Sequence, residues 1–250
     1  HIKFQYPDGN SALRGISTKI YDGDYIGIIG QNGSGKTTFV KHLNGLLRPT
    51  EGDVIVDGLN TKEAVISDIT TRVGYIFQNP DHQIFSPSVW DEVTYSLKLM
   101  KLPDDEIKRR ATEALELTGL INKKDEYPFF LNKGERQLLA ISSILAMDPK
   151  VIILDEPTTG QDFKSVNRIM NLMDKLHSEK SKIIIVISHN MKIIAEHVKR
   201  VIVIHKGKIL IDGDTRSVFA KPDVLKEAFI KPPQISLLSY NLQTFGYPPC

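Results

Sequence analysis

The segment Gly30–Thr38 reads Gly-Gln-Asn-Gly-Ser-Gly-Lys-Thr-Thr and matches the G-x-x-x-x-G-K-[ST] pattern of a phosphate-binding loop. Its glycines allow backbone N–H groups to turn inward around an anion. In such a loop Lys36 reaches the β- and γ-phosphates of a nucleotide, and the hydroxyl of Thr37 binds magnesium. The pattern therefore predicts that the chain binds a nucleoside triphosphate together with Mg²⁺. The loop residues predicted to bind ATP are Asn32, Gly33, Ser34, Gly35, Lys36, Thr37 and Thr38.

A second pair of residues suited to chemistry, Asp155 and Glu156, follows the apolar run Val151–Leu154. A phosphate loop needs an acidic strand end of this kind, because a carboxylate there holds magnesium directly or through water. We therefore assign Asp155 to the metal. Glu156 then stands where a carboxylate can orient the water that attacks the γ-phosphate and accept its proton. The alternative, a solvated acidic turn after a buried strand, loses weight once the phosphate loop is present.

Short apolar runs rich in β-branched residues predict the strands that position these segments. The runs lack polar alternation, which fits a parallel sheet covered on both faces. Helical patterns separate several of them, with one apolar face over Phe39–Leu47 and another over Val166–Leu176. This alternation predicts a doubly wound α/β core. The predicted strands are Ile26–Ile29, Val73–Phe77, Val151–Leu154, Ile183–Ile187 and Val201–Ile204.

The interval 80–148 interrupts the alternation because it contains helical patterns and no comparable strand run. The sequence Pro103-Asp104-Asp105 predicts a helix start, and Gly119 predicts its end. A second helix is predicted over Glu135–Met147, with apolar residues on most sides. We therefore expect a nucleotide-binding core at 1–79 and 149–213, a helical subdomain at 80–148, and a C-terminal accessory or dimerisation segment at 214–250.

Composition places the chain among ordinary globular proteins, with 41% hydrophobic and 25% charged residues out of 250. Its net charge of +2 lacks the basic excess of a nucleic-acid binder, so we expect no nucleic-acid partner. The single cysteine, Cys250, excludes an intramolecular disulfide and favours a reducing, intracellular setting. The uncharged stretch Pro232–Cys250 contains four prolines, which exclude a membrane-spanning helix. Because the chain begins at His1 without a methionine, we expect that native N-terminal residues are missing.

Six motifs in order resemble those of the ATPase subunits of ATP-binding cassette (ABC) transporters, over nearly the whole chain. They are the phosphate loop, Phe77-Gln78, Leu131–Gln137, Leu154–Pro157, Gly160–Asp162 and Ser188-His189. The segment Phe77–Pro87 is similar to that of energy-coupling factor (ECF) transporter ATPases, a group that imports vitamins, cobalt and nickel. The tail, with Pro232-Pro233 and Gly246–Pro249, resembles that group's C-terminal extension. The resemblance implies a P-loop NTPase fold: an α/β core like that of RecA, an inserted helical subdomain and a small C-terminal extension.

The resemblance also implies roles for residues outside the phosphate loop and the acidic pair. Tyr6 would stack on adenine, and Gln78 would contact magnesium and the attacking water. His189 would contact the γ-phosphate. Asp162 would reach across a dimer interface, although by itself it would only cap the following helix. Under these assignments the catalytic residues are Glu156, His189 and Gln78, and the magnesium ligands are Thr37, Gln78 and Asp155.

The signature motif departs from the family's usual Leu-Ser-Gly-Gly-Gln. Asn132 replaces serine, Lys133 replaces the first glycine and Glu135 replaces glutamine. In the family this loop closes over the γ-phosphate that the opposite subunit holds, and Gly134 still permits close approach of the backbone. Lys133 adds a positive charge that could favour the phosphate or block its approach, and Glu135 adds a negative charge that would repel it. A tolerated variant with ordinary activity stays an open alternative.

The resemblance implies a Mg²⁺-dependent ATPase that powers an ECF-type importer as a peripheral subunit on the cytoplasmic face of the membrane. Because every other catalytic motif is intact, we expect one half of an ATPase heterodimer, with a homodimer as the alternative. The other partners would be a transmembrane coupling subunit and a substrate-binding membrane subunit. Two other functions stay open: a regulatory subunit that binds nucleotide with little hydrolysis, and a soluble ABC ATPase that is not tied to transport.

Overall fold

A computed structural model describes residues 1–244 of the chain. Its strands are β1 (Ile2–Gln5), β2 (Ser11–Ile16), β3 (Tyr25–Ile29), β4 (Ile55–Val56), β5 (Leu59–Asn60), β6 (Val73–Ile76), β7 (Val151–Asp155), β8 (Ile183–Ile187), β9 (Arg200–His205) and β10 (Lys208–Asp214). Its helices are α1 (Lys36–Leu43), α2 (Ile66–Thr70), α3 (Val89–Leu99), α4 (Asp104–Thr118), α5 (Lys133–Ala146), α6 (Phe163–Lys180), α7 (Met191–His197), α8 (Thr215–Phe219), α9 (Pro222–Glu227) and α10 (Gln234–Thr244). The end of the predicted tail, including Gly246–Pro249 and Cys250, lies outside the described residues.

The chain divides into two compact units. Unit 1 comprises His1–Ile66 and Ile185–Cys250, and unit 2 comprises Ser67–Ile184. The division into a core, an inserted subdomain and a C-terminal segment that the sequence suggests stays a prediction. No helix within residues 1–244 has both the length and the apolar character needed to cross a membrane.

In unit 1, β9 lies between β10 and β3. It pairs with β3 in parallel, with Val201 opposite Gly27, and with β10 in antiparallel fashion, with Ile204 opposite Ile209. The isoleucines of β3 are fully buried, as expected for a central strand covered on both faces. β1 and β2 form a separate antiparallel hairpin. This core fixes the end of β3, from which residues 30–35 lead into α1.

In unit 2, β6 and β7 pair in parallel, with Tyr75 opposite Ile153. α5 packs against both α3 and α4. Most of its own residues are buried, as its sequence predicts. Between residues 80 and 148, all of which are described, the chain forms these helices and three short 3₁₀ turns but no strand. The helices hold the start of α5, where the signature segment lies.

The strand predictions and both helix predictions in the 80–148 interval are confirmed. α4 ends at Gly119, which has a left-handed φ of 69° and caps the helix. The predicted apolar face over Phe39–Leu47 is wrong in its extent. α1 ends at Leu43, because Asn44 caps it and Gly45 turns the chain with φ 76°. Leu46 is consequently 44% exposed.

Candidate functional site

The phosphate loop lies between β3 and α1 in unit 1, the strand, loop and helix order that its sequence predicts. Gly33 and Gly35 have φ values of 76° and 108°, a left-handed backbone that L side chains rarely adopt. A Cβ at Gly35 would lie 2.8 Å from the carbonyl oxygen of Ala12, whereas a Cβ at Gly33 would meet nothing within 4 Å. Gly35 is therefore needed for the path of the loop, and the backbone at Gly33 is open to a ligand.

Buried polar groups line the same loop. The Lys36 side chain donates hydrogen bonds to the carbonyl oxygens of Gly30, at 2.8 Å, and Gln31, at 3.1 Å. The Ser34 hydroxyl is buried without a hydrogen-bond partner among the described residues. Thr37 is half-buried in the first turn of α1, where the helix dipole favours an anion. An ammonium, a spare hydroxyl and an open left-handed loop at a helix start suit a triphosphate.

Tyr6 follows β1, and its backbone N–H donates to the carbonyl of Asn10 at 2.9 Å. Its hydroxyl lies 3.0 Å from the hydroxyl oxygen of Thr38. The structure thus joins two of the predicted ATP-binding residues within unit 1. Sequence patterns give no signal for this contact because the two residues are 32 positions apart.

The acidic pair lies at the end of β7 in unit 2. Asp155 is 6% exposed and accepts a 2.6 Å hydrogen bond from the hydroxyl of Tyr75 on the neighbouring strand β6. Burial, followed by the charge of Asp155, raises the pKa of Tyr75 well above its ordinary value. The hydroxyl therefore stays protonated and donates to the carboxylate at neutral pH. Sequence reasoning missed Tyr75, although a tyrosine in an otherwise apolar buried strand is a signal for a bonded hydroxyl.

Glu156 is also buried, at 7% exposure, and has a left-handed backbone with φ 50°. Such a conformation costs a non-glycine residue roughly 1–2 kcal/mol and is common at functional positions. Glu156 directly follows Asp155, the last residue of β7, so the left-handed residue lies where the chain leaves the strand.

The signature segment forms the start of α5. Asn132 caps the helix by accepting a hydrogen bond from the backbone N–H of Glu135, and the Glu135 side chain accepts one from the backbone N–H of Asn132. The Glu135 carboxylate also lies 2.7 Å from the ammonium of Lys123. The hydrogen bond from Lys123 is the main cause that lowers the pKa of Glu135. The negative charge of Glu135 is therefore paired with Lys123, and the Glu135 side chain completes a capping box at the start of α5.

Lys133 and Gly134 lie next to the loop that precedes α6 and the first turn of that helix, within unit 2. The Lys133 ammonium lies 3.3 Å from the carbonyl oxygen of Thr159. A Cβ at Gly134 would lie 2.9 Å from the hydroxyl oxygen of Ser165 and 3.3 Å from a side-chain oxygen of Gln161. Glycine at position 134 therefore permits the signature turn to pack against this loop.

Asp162 caps α6: its carboxylate accepts hydrogen bonds from the backbone N–H of Ser165, at 2.9 Å, and from its hydroxyl, at 2.7 Å. The backbone hydrogen bond is the main cause that lowers the pKa of Asp162. The helix-cap interpretation is thus confirmed, while a role across a dimer interface stays a prediction.

Two further side chains of α5 connect the signature to the segment after β6, and sequence reasoning missed both. Arg136 lies 2.6 Å from the carboxylate of Asp81 and also donates to the carbonyl of Leu131. Gln137 is 1% exposed, and its amide lies 3.5 Å from the carbonyl oxygen of Phe77. Both partners in that segment belong to motifs that carry the family resemblance.

The predicted residues thus fall into one group in each unit. In unit 1, Tyr6 joins the phosphate loop, and His189 lies exposed between β8 and α7. In unit 2, the signature residues contact the Thr159–Ser165 segment, while Gln78 lies exposed after β6.

The fit to magnesium rests on oxygen donors. Within residues 1–244, no three His, Cys, Asp or Glu side chains group as a metal site. A magnesium ion that is bound mainly by nucleotide phosphates needs only one or two protein ligands. The hydroxyl of Thr37 and the carboxylate of Asp155 are donors of the type that Mg²⁺ prefers, so the residues present fit the ion.

Comparison with known proteins decides the family. A family model described as ABC transporter matches residues 13–159, more than half of the chain. The chain belongs to the ABC transporter family. The ABC cassette fold predicted from its motifs is confirmed by solved structures. That of cbiO1 from Clostridium perfringens, part of the ABC transporter complex cbiONQ, has a TM-score of 0.81 and 36% identity, with 95% of each chain covered. A dimeric ATP-binding cassette in a post-hydrolysis state, bound to ADP and Pi, has a TM-score of 0.76 and 27% identity, with 86% of this chain and 96% of the other covered.

Curated relatives of this ABC cassette include ECF proteins. The energy-coupling factor transporter ATP-binding protein EcfA2 of Clostridium perfringens is 39% identical over 240 residues, which cover 94% of this chain and 84% of the relative. The chain spans about two fifths of the length of the first curated relatives it matches, ABC transporter ATP-binding proteins that are 38–46% identical to it.

Proposed function

We propose that this ABC cassette binds ATP with Mg²⁺ and hydrolyses it to power an ECF-type importer of vitamins or transition metal ions. The phosphate loop at the end of β3 carries the proposal, because its left-handed glycines, buried Lys36 and helix start suit a triphosphate. The identity of 39% to an ECF transporter ATP-binding protein supports the ECF assignment. So does the likeness to a subunit of the cbiONQ complex.

The predicted site residues each have a defined task in this proposal. Lys36 places its charge on the β- and γ-phosphates, and backbone N–H groups of the loop hold the oxygens. Thr37 and Asp155 would hold Mg²⁺, with Tyr75 fixing the carboxylate of Asp155 through its hydroxyl. When bound, Mg²⁺ supplies positive charge that neutralises the phosphate oxygens.

Glu156 carries the chemical step. Its carboxylate orients a water molecule for in-line attack on the γ-phosphorus and accepts the proton that the water loses, while the bond from phosphorus to the β–γ bridging oxygen breaks and ADP leaves. Gln78 contacts the same water, and His189 contacts the γ-phosphate. Tyr6 stacks on the adenine ring.

Substitution of Lys36 tests nucleotide binding. We expect Lys36→Met to weaken ATP binding by at least about tenfold, because the side chain no longer offsets phosphate charge. The control is Lys19→Met, which removes the charge of an exposed lysine in the same unit and leaves the affinity unchanged. Equal ATP affinities of the wild type and Lys36→Met, measured by equilibrium titration with Mg²⁺, would refute binding at this loop.

The altered signature motif supports the proposal that this chain is one half of a heterodimer. Lys133 replaces a glycine and is engaged with Thr159, and Glu135 is engaged with Lys123. The signature of this chain would therefore serve the weaker of two composite sites, while its own phosphate loop and Glu156 work with a partner's standard signature. Full ATPase turnover of the purified chain as a homodimer, without a candidate partner, would exclude this arrangement.

The same departure favours a second candidate function, a regulatory subunit that holds ATP with little hydrolysis. The two functions differ in whether ATP turnover of the partnered assembly, which is this chain together with its ATPase partner, depends on Glu156.

The proposed membrane partners are a transmembrane coupling subunit and a substrate-binding subunit, which place the cassette at the cytoplasmic face of the membrane. Within unit 2, Phe85, Tyr95 and Leu99 are 63%, 44% and 67% exposed, and the rings of Phe85 and Tyr95 contact edge to face. Exposed aromatic residues of this kind suit an amphipathic helix of a membrane subunit. Copurification from membranes, with identification of the bound chains, tests the partners and the location.

A further inference from the structure

Three aromatic side chains of unit 1, those of Tyr6, Phe4 and His42, form a closed set of contacts with Thr38. The Tyr6 ring packs edge to face on Phe4, with centroids 4.8 Å apart, and Phe4 packs in the same way on His42 at 4.8 Å. His42 lies 2.7 Å from the carbonyl oxygen of Thr38, and Tyr6 lies 3.0 Å from its hydroxyl oxygen. Both ends of the aromatic series therefore meet at one residue of the phosphate loop.

The protonation of His42 follows from its surroundings. A carbonyl oxygen can only accept, so Nδ1 of His42 carries the proton and donates it to Thr38. The other ring nitrogen, Nε2, is buried and has no hydrogen-bond partner among the described residues. The ring is fully buried, and burial lowers the pKa of His42 below its ordinary value. The neutral ring of His42, held by its hydrogen bond to Thr38, thus packs against the ring of Phe4.

Tyr6 would otherwise have a choice of orientations. It follows the last residue of β1 and is only partly buried, so its backbone alone does not determine its ring plane. The edge contact with Phe4 and the hydroxyl contact with Thr38 restrain both ends of the side chain. A ring that is already oriented loses less entropy when a base stacks on it.

We propose that Phe4, His42 and the Thr38 hydroxyl pre-orient the Tyr6 ring as the base platform of the nucleotide site, which makes Phe4 and His42 positioning residues for adenine. This inference rests on the proposed ATP binding and adds a restraint from the phosphate loop to the base platform. It applies to ligands that have a base and not to phosphate alone.

The test compares ATP with inorganic tripolyphosphate, each titrated with Mg²⁺ into the purified chain. Tyr6→Phe keeps the ring and removes the hydroxyl, and we expect a loss of ATP affinity of about threefold to tenfold, with tripolyphosphate affinity within about twofold of wild type. Phe4→Leu should show the same split, and the double variant should lose less than the product of the two effects, because both act on one ring. The matched control is Tyr21→Phe, at a tyrosine that is 59% exposed and outside the set, which should change neither affinity.

Two results would overturn the inference while leaving the proposed function intact. The first is that the wild type binds ATP and Tyr6→Phe binds it with equal affinity. The second is that Tyr6→Phe loses affinity for ATP and for tripolyphosphate to the same extent. A wild type that binds no ATP would overturn both the inference and the proposed function. Tyr6→Phe is close to isosteric, so this variant tests the restraint from Thr38 even if Phe4→Leu fails to fold. A folded Phe4→Leu variant with wild-type ATP affinity would overturn the positioning role of Phe4.

Discussion

Among single residues, Tyr75 has a role that its position in a buried strand conceals. Its hydroxyl donates to Asp155 across the parallel pair of β6 and β7. A carboxylate that is 6% exposed needs such donors, because a buried charge without hydrogen bonds is strongly unfavourable. The bond also fixes the direction in which Asp155 presents its oxygens. Tyr75 is therefore a positioning residue for the proposed magnesium ligand.

We expect Tyr75→Phe to lower ATP turnover of the partnered assembly about threefold to tenfold and to raise the Mg²⁺ concentration that gives half-maximal turnover. The Asp155 carboxylate would keep its charge and lose its fixed orientation. Turnover measured over a magnesium titration checks this expectation. Tyr127→Phe, at a tyrosine that is 46% exposed in the same unit, is the control. A magnesium dependence identical to that of the wild type would contradict the positioning role.

His42 makes stability depend on pH. Its pKa is lowered by burial, so in mildly acidic solution the unfolded chain binds a proton at this residue that the folded chain does not. The free energy of unfolding therefore rises with pH in this range. The contribution of neutral His42 is fully present above its ordinary value of 6.5 and is lost as the pH falls from 6.5 towards the lowered pKa.

From pH 7.5 to 5.5 we expect this residue to cost the wild type up to about 1.4 kcal/mol of unfolding free energy. The variant His42→Leu, although less stable at pH 7.5, should lack that part of the pH dependence. Denaturant unfolding at the two pH values measures the difference. His82→Gln, at an exposed histidine, should keep the wild-type dependence, and a His42→Leu variant that also keeps it would refute the assignment.

At the scale of elements, the start of α5 shows how the altered signature keeps its helix. Asn132 replaces the family's serine, and asparagine and serine cap helices about equally well. Glu135 completes the capping box and is paired with Lys123. Two of the three departures thus preserve the helix start, whereas the third, Lys133, contacts the loop before α6.

Asn132→Ser should therefore change the free energy of unfolding by less than about 0.5 kcal/mol, and Asn132→Ala should reduce it by about 1 kcal/mol. The two variants differ in one hydroxyl, so denaturant unfolding of both measures how much the helix cap contributes to the free energy of unfolding. Equal stabilities of the serine and alanine variants would show that the side chain at 132 does not hold the helix.

The elements of the core could be predicted because their signals are local. The strands β3, β6, β7, β8 and β9 are runs of buried apolar residues, and the phosphate loop is a contiguous pattern between two such elements. β10 was missed because none of its residues is buried, and its exposed charged positions break the apolar run. The end of α1 was missed because a turn at Gly45 overrides the helical pattern that continues to Leu47.

Contacts between distant residues could not be read from the sequence. Tyr75 meets Asp155 80 positions away, and Arg136 meets Asp81 55 positions away. Both pairs depend on strand register and helix packing, which no motif records. The ion pair of Glu135 could not be predicted for the same reason, because its partner Lys123 lies 12 positions earlier, in a turn that the sequence does not predict.

For the whole molecule, the chain belongs to the ABC transporter family and has a near-neutral net charge of +2. We propose that it acts as an ATPase together with other chains. Its phosphate loop and acidic pair are intact, and its signature is altered but folded. We expect the nucleotide site of this chain to hydrolyse ATP.

The most direct test is ATP turnover of the partnered assembly with Glu156→Gln, which keeps the size of the side chain and removes the base. We expect a loss of at least about a hundredfold in turnover with ATP affinity retained, and no change for the control Glu63→Gln at an exposed glutamate. Turnover that stays at the wild-type rate after Glu156→Gln would contradict hydrolysis at this site, because hydrolysis would then occur without the carboxylate that this chain supplies.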